Sequence, residues 1–353
     1  MPSRRFTSDE GALDDFYGDL SDGYLQPLWE MHGLLTVEPQ VASVPYRWRA
    51  AELNKMAQRA DELVPISRGG DRRVLAMSNP GLAGAPYISS TLWAAVQYLL
   101  PGETAPPHRH TPAALRIILD GAGVYTVVDG DAIPMARGDL VLTPAWTFHE
   151  HHNPGAESMM WLDVLDLPVV AALDAVFFQP GDQPAPITRP QRSTAERLYG
   201  QGPGLVPTGP GAPQNVLPQS PLTVYRWSDT EAALIGLLEA TGSSEATLRL
   251  QDPTRGRDVM PTLRCEMTRL RASASGTAQR QTGSRVCAVL NGHGVVDVGD
   301  ARFDIEPGDI YVVPSWSTCQ LHSSAVDLDV FTCSDAAVLD ALSLFRSEVV
   351  DPS

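Results

Sequence analysis

Apolar positions change their period along the chain. Between Leu13 and Trp29 they recur at irregular helical spacing, broken by Gly18, Gly23 and Pro27, and from Trp48 to Val64 strong helix formers carry a periodic apolar face. Residues 1–70 therefore read as a helical segment that packs against another body rather than carrying chemistry. From Arg72 onward the texture becomes one of short apolar runs. Arg72–Leu82 predicts a strand entering the Asn79-Pro80-Gly81 turn, and Ser90–Glu103 a second strand closed by Pro101-Gly102. Further short runs follow, punctuated by Gly121-Ala122-Gly123, Asp129-Gly130, Arg137-Gly138-Asp139, Pro144 and Asn153-Pro154-Gly155. Strands at such near-regular spacing predict a mainly β unit over residues 71–180, an antiparallel barrel or jelly roll. Pro168–Phe178 predicts a closing helix.

Residues 181–225 are rich in proline and glycine and read as a linker or surface strap. Ser228-Asp229-Thr230-Glu231 then has the form of a capping box ahead of an apolar helix reaching about Ala240. The remainder of 226–353 repeats the first unit. Asn291-Gly292-His293-Gly294 answers Asp120-Gly121-Ala122-Gly123, and Glu306–Trp316 answers Ala136–Trp146. In the same frame His108-Arg109-His110 becomes Gln279-Arg280-Gln281, and His149 becomes Cys319. A repeat outweighs single-residue signals. The turns are duplicated and the histidines are not, so the fold does not need them and the second barrel reads as structural.

Composition narrows the possibilities. A formal net charge of −16 leaves no basic stripe for phosphates and argues against nucleic acid and anionic membrane surfaces as partners. The opening MPSRRFTSDEGALDD has no apolar core, and no run approaches the roughly 18 residues that span a bilayer. The chain is expected to be soluble and cytoplasmic. Its four cysteines (Cys265, Cys287, Cys319, Cys333) show no CxxC spacing, which predicts reduced, buried thiols.

Five of the eight histidines lie between positions 108 and 152. On a strand, residues two apart share a face, so His108 and His110 can aim into one cavity. His149, on a neighbouring antiparallel strand, supplies a third imidazole, the usual ligand of zinc, copper, iron and nickel. A three-histidine metal site is the reading. His32, His293 and His322 read as ordinary surface or core residues, and His152 as exposed.

Gly102-x5-His108-x-His110 followed by Gly121, then Gly138-x5-Pro144-x-Trp146-x2-His149-x3-Asn153, resembles the two motifs of the cupin superfamily. The whole chain resembles the bicupin gentisate 1,2-dioxygenase family, which includes salicylate and 1-hydroxy-2-naphthoate ring-cleaving enzymes. The stretches PPHRHTPAALR, YTVVDG, LVLTPAWTFHEH and WLDVLDLPVV carry that likeness. Many cupins place a glutamate ligand after the H-x-H pair; here the region is Pro112-Ala113-Ala114-Leu115. The resemblance implies one Fe(II) per chain, held by His108, His110 and His149 in the N-terminal cupin. It implies a small aromatic carboxylate substrate chelated through carboxylate and ortho hydroxyl, cleaved with dioxygen between the carbons bearing those groups. It also implies a homo-oligomer, a tetramer. Salicylate or a ring-substituted salicylate is the rival substrate. A non-catalytic bicupin binding protein and a zinc or manganese cupin isomerase are the rival classes.

Arg116 lies an even step from His110 and is expected to face inward, where an arginine needs an anionic partner; the substrate carboxylate is the natural one. The resemblance implies a second carboxylate contact at Arg72. It also places Trp93 and Gln97, four residues apart on one strand face, in the pocket, with apolar Val74 near the ring. It implies that His151 is a hydrogen-bonding or proton-transfer group near the metal. Asp163 is expected behind the ligands, accepting a histidine N–H, and Trp146 and Phe148 are expected to dry the cavity.

Overall fold

The computed structural model describes residues 10–64, 73–182, 189–202, 205–208, 210, 212 and 217–350. They fall into two compact units divided between Gln40 and Val41. The first holds the helix Glu10–Asp22 and a short 3-10 turn, Leu28–Glu30. Trp29 Nε1 donates to Tyr17 OH at 3.1 Å, and that hydroxyl donates to Glu30 Oε1 at 3.1 Å, tying turn to helix.

The second unit is built from four antiparallel sheets. In one six-stranded sheet the order is Val224–Tyr225, Leu140–Thr143, Ala114–Asp120, Met159–Leu165, Trp93–Leu99, Val74–Ala76. Opposite it, five strands run Phe178–Pro180, Thr104–His110, His149–His152, Ala122–Val128, Asp131–Ala136. The C-terminal copy repeats both layers. Its six-stranded sheet runs Tyr46–Trp48, Ile310–Val313, Arg285–Asn291, Leu328–Ser334, Arg264–Leu270, Glu245–Leu250. Its five-stranded sheet runs Ala301–Ile305, Gly294–Val298, Cys319–Ser323, Gln279–Gln281, Ser347–Val349.

Strand parity decides what each face meets. Ala94, Val96, Leu115, Ile117, Leu162 and Val164 point away from the first barrel and join Cys265, Met267, Val286, Ala288, Phe331 and Cys333 of the second in one apolar cluster. The two six-stranded sheets are thus apolar on the faces they share. Residues of opposite parity, Leu99, Ile118, Val141 and Trp161, line the first barrel's interior with Val124, Val128, Ile133 and Met135. All four cysteines are free and buried.

The barrels also exchange straps. Tyr46–Trp48 pairs with Ile310–Val313 of the second barrel, yet the helix that follows it, Ala50–Leu63, contacts the Trp93 strand of the first. Reciprocally, Val224–Tyr225 pairs with Leu140–Thr143, and the helix Trp227–Thr241 lies on the Glu245 and Arg264 strands. Each helix start is held by the aspartate of a Gly-Asp turn. Asp139 Oδ1 accepts from Trp227 N at 3.0 Å and Asp139 Oδ2 from Arg226 Nη1 at 2.7 Å; Asp309 Oδ1 accepts from Ala50 N at 2.7 Å.

This arrangement corrects three expectations. The Ser228 capping box does not form: the helix starts at Trp227, and a carboxylate from a distant turn caps it. Segment 1–70 is not wholly helical, because Tyr46–Trp48 is an edge strand. The helix expected over Pro168–Phe178 stops at Ala172, and Phe178–Pro180 pairs with the His108 strand.

Gly138 has φ +84, and a Cβ there would sit 2.7 Å from Trp227 Cγ, so only glycine lets the turn approach the helix. Asp139→Ala should lower unfolding stability by about 2–4 kcal/mol, losing a cap and leaving Arg226 short of a buried partner. Denaturant midpoints check this, with Gly138→Ala destabilising through the same contact.

Candidate active site

Prolines shape the strand that carries two of the histidines. Pro106 and Pro107 offer no N–H to the neighbouring strand, and the pairing of Thr104–His110 with His149–His152 shifts register between Ala105 and His108. Beyond the bulge His108 faces His149 directly. His110 ends the strand on the same face. The ring centroids of His108 and His149 are 4.3 Å apart, and those of His110 and His149 4.9 Å. One ligand atom from each of the three rings lies within 4.8 Å of the others, the one such grouping found among the described residues.

Each ring is oriented by backbone. Nδ1 of His108 lies 3.0 Å from Pro106 O, Nδ1 of His110 2.7 Å from Pro112 O, and Nδ1 of His149 3.1 Å from Thr147 O. A carbonyl can only accept, so each Nδ1 carries a proton, and in the neutral ring Nε2 keeps the lone pair. His149 Nε2 is buried and has no hydrogen-bond partner. An orphaned buried acceptor beside two equivalent rings is what a metal-binding set looks like, so the residues fit a bound cation. Burial, and then the charge of Arg116, hold His149 well below the ordinary imidazole range, which keeps it neutral and able to ligate. Arg109, at odd parity between the two histidines, points outward.

Arg116 faces inward as expected, but its anionic partner is already present. It pairs across the strands with Asp163, and its Nε lies 3.0 Å from Asp163 Oδ1, off the N–H axis, an ion pair rather than an aligned hydrogen bond. Its Nη1 donates to Thr143 Oγ1. Asp163 therefore does not sit behind the histidines. Backbone carbonyls take that place, while Asp163 holds Arg116 and accepts from Trp161 Nε1 at 3.1 Å. Burial pushes the Asp163 carboxyl up to about 6 against the opposing pull of Arg116. Desolvation likewise lowers Arg116.

His151 is buried two residues beyond His149. Its Nδ1 lies 2.9 Å from Thr126 Oγ1, which also donates to Met135 Sδ at 3.1 Å, and its ring lies 5.2 Å from that of Trp161. Burial holds it, too, well below the usual imidazole range. Gln97 is buried opposite Trp161, and Trp93 begins the same strand on the same face, half-buried. Val74 pairs with Gln97 from the sheet edge. Arg72 lies outside the described residues.

Two placements differ from expectation. Trp146 and Phe148 do not dry the cavity: the Arg109 guanidinium lies 4.3 Å over the first ring and 4.6 Å over the second, a clamp on the barrel's outer side. His152 is half-buried rather than exposed, its Nε2 3.3 Å from Glu150 Oε2. Sequence reasoning missed Thr126, Thr143 and Trp161, the partners of His151, Arg116 and Asp163. Strand parity alone could have found Trp161, two residues before Asp163.

With this geometry in place, the chain can be compared with known proteins. The Cupin domain family matches residues 95–165. A gentisate 1,2-dioxygenase from Streptomyces sp is 48% identical over 95% of this chain and 95% of its own length. A 5-aminosalicylate 1,2-dioxygenase from Comamonas sp is 33% identical over 95% of this chain and 90% of its own. A crystal structure of salicylate 1,2-dioxygenase from Pseudoaminobacter salicylatoxidans, an adduct with gentisate, superposes with a TM-score of 0.90 at 40% identity, covering 100% of this chain and 96% of that one. No helix among the described residues is long and apolar enough to cross a membrane.

Asp163 binds its proton more tightly in the fold than an unfolded aspartate does. Its contribution to stability is therefore full below the ordinary carboxylate pKa and is lost as pH rises through about 6. In metal-free protein, the urea midpoint relative to Asp163→Asn should fall between pH 4 and pH 7. A difference that rises over that range would contradict the assignment.

Proposed function

The chain belongs to the gentisate 1,2-dioxygenase family of cupin proteins, and on that premise we propose that it cleaves the ring of a 2-hydroxybenzoate, gentisate before others, between the carboxyl-bearing and hydroxyl-bearing carbons. Both atoms of dioxygen enter the product. The observation that carries this reading is the set of three converging imidazoles with no carboxylate in the group. We assign Fe(II), one per chain, to His108, His110 and His149. Bound there, the metal would supply Lewis acidity toward a chelating hydroxyl and carboxylate and a redox route to dioxygen.

The chain's own residues do the rest. The donor set adds no negative charge, and Arg116 with Asp163 is net neutral, so neutralising a divalent cation is left to the substrate's own carboxylate and hydroxyl. Arg116, turned inward and fixed by Asp163 and Thr143, keeps further N–H groups for a substrate carboxylate, a role in which Arg72 would join it. His151 is held neutral by burial and would act on the substrate hydroxyl as a hydrogen-bonding group rather than as a store for its proton. Trp93 and Gln97 would bound the ring, Gln97 as a hydrogen-bond donor. The C-terminal cupin has Gln279, Gln281 and Cys319 at the ligand positions and takes no metal in this reading. We divide the chain accordingly: a catalytic cupin over residues 71–180 and a metal-free one over 226–353, with 1–70 and 181–225 as flanking segments. A cytoplasmic homotetramer completes the proposal; the exposed Tyr24, Leu25, Trp29 and Leu35 support association between chains.

Salicylate and 5-substituted salicylates are the second reading of the same site, favoured by the likeness to a 5-aminosalicylate 1,2-dioxygenase. Oxygen uptake by iron-loaded protein offered gentisate, salicylate and 5-aminosalicylate side by side should be fastest with gentisate. No uptake with any of the three would end the proposal. His108→Ala should lose essentially all bound iron. Arg116→Ala should retain iron, raise KM about tenfold or more through lost charge-assisted bonding, and lower stability by about 3–5 kcal/mol by stranding Asp163. Equal loss of iron in both variants would contradict these roles.

A further inference from the structure

The second barrel keeps a cavity where the first has its site. It measures about 340 Å³, within the range of small-molecule sites, and is lined by Gln279, Gln281, Cys319, Tyr311, Thr332 and Arg285 among others. The register shows that it corresponds to the first site. Gln279 faces Cys319 as His108 faces His149, and Cys287 faces Thr332 as Arg116 faces Asp163.

The buried arginine has changed position in the copy. Cys287 stands where Arg116 stands in the first barrel, but Arg285, two residues earlier and therefore on the same inward face, brings a guanidinium back. Arg285 is 6% exposed. Unlike Arg116, it has no carboxylate within ion-pair distance among the described residues. Its Nε has no hydrogen-bond partner, and its Nη2 makes only one long contact, 3.4 Å to Ser317 O. Neighbouring acids cannot compensate. Burial pushes the Cys287 thiol up to about 12 and raises Tyr311 and Cys319, so all three stay neutral. Two carboxylates also line the cavity, but each has a partner. Glu245 Oε2 accepts from Thr277 N and Oγ1 at 2.9 Å, and Glu266 Oε1 lies 3.9 Å from Arg249 Nε.

A buried guanidinium without a counter-charge is costly unless an anion joins it. We propose that the C-terminal barrel is a second small-molecule site that binds a monocarboxylate anion on Arg285. Gln279, Gln281 and Thr332 offer hydrogen bonds to the ligand's other polar groups. With two glutamates on its walls the cavity favours a single negative charge over two. The proposal does not depend on the activity proposed for the first barrel, because it concerns binding alone.

Benzoate, a monoanion, and maleate, a dianion at pH 8, are suitable probes, titrated calorimetrically into the full-length, metal-free protein. Benzoate should bind with a site that Arg285→Gln weakens at least about tenfold, the worth of a charge-assisted hydrogen bond, and that Arg285→Lys largely preserves. The melting temperature of Arg285→Gln without ligand should not fall, since it removes an unpaired buried charge. A site unaffected by Arg285→Gln, no benzoate binding at millimolar concentration, or tighter binding of maleate than benzoate would overturn the proposal. So would a clear loss of thermal stability in Arg285→Gln, which would make Arg285 a structural residue.

Discussion

A metal-binding imidazole must present a lone pair, and the hydrogen bond made by its other nitrogen decides which nitrogen keeps it. In His108, His110 and His149 that bond goes to the carbonyl of a residue two positions away along the same stretch of chain. The tautomer and the ring orientation are therefore fixed by local backbone, without any distant carboxylate. Pro106 and Pro112 provide two of those carbonyls, and proline's fixed φ removes one of the torsions that could displace them. The ligand set is thus preorganised before any cation arrives. The cost is visible at His149 Nε2, which the fold buries with nothing to bond.

The duplication separates what the fold requires from what the site requires. Both barrels keep a Gly-Asp turn whose carboxylate holds the first backbone N–H of a strap helix. Both keep a tryptophan at positive φ, Trp146 at 60° and Trp316 at 64°, whose N–H is bonded to the backbone of the ligand-position strand at His110 or Gln281. Both lay an arginine over that tryptophan, Arg109 at 4.3 Å and Arg280 at 4.7 Å. These features close the barrel and brace its end. The inward positions between them differ entirely: histidines against glutamines and a cysteine, and an arginine–aspartate pair against a cysteine and a threonine.

Much of this was legible from residue pattern. Period-2 alternation and glycine turns predict the strands, and an even step predicts that Arg116 faces inward with the ligands. The three-histidine cluster follows from spacing once the strands are antiparallel neighbours. The partners were harder to read. Asp163 and Arg116 are 47 positions apart, and only the cross-strand register of their two strands makes them neighbours. The helix cap failed for a similar reason. Ser228 offers a local hydroxyl, but Asp139, 88 residues away in sequence, already occupies the helix start and brings a charge and an arginine with it. Leu173–Phe178 reads as helix because PVVAALDAVFF has helical composition, yet the helix ends at Ala172 and Phe178 opens a short strand. The edge of the His108 strand offered unpaired backbone groups, and pairing there outweighed propensity.

The Arg116–Asp163 pair gives the clearest case of chemistry set against folding. Burying two opposite charges rarely stabilises a protein relative to apolar groups of the same volume. Beside the histidines and their partners, the first barrel's interior holds an apolar cluster of Ile118, Val124, Val128, Ile133 and Trp161, which would pack as readily around a leucine and a valine. Folding alone does not account for a guanidinium there. The proposed function would account for it: a cavity that receives an anionic aromatic acid beside a divalent cation needs a fixed positive group whose own counter-ion keeps it from being a cost when the cavity is empty. Asp163 provides that counter-ion, and its carboxyl, raised to about 6, is already strained toward neutrality by the same burial. In the proposed role an incoming carboxylate would share Arg116 with Asp163, so that one arginine would serve both the resting fold and the bound substrate.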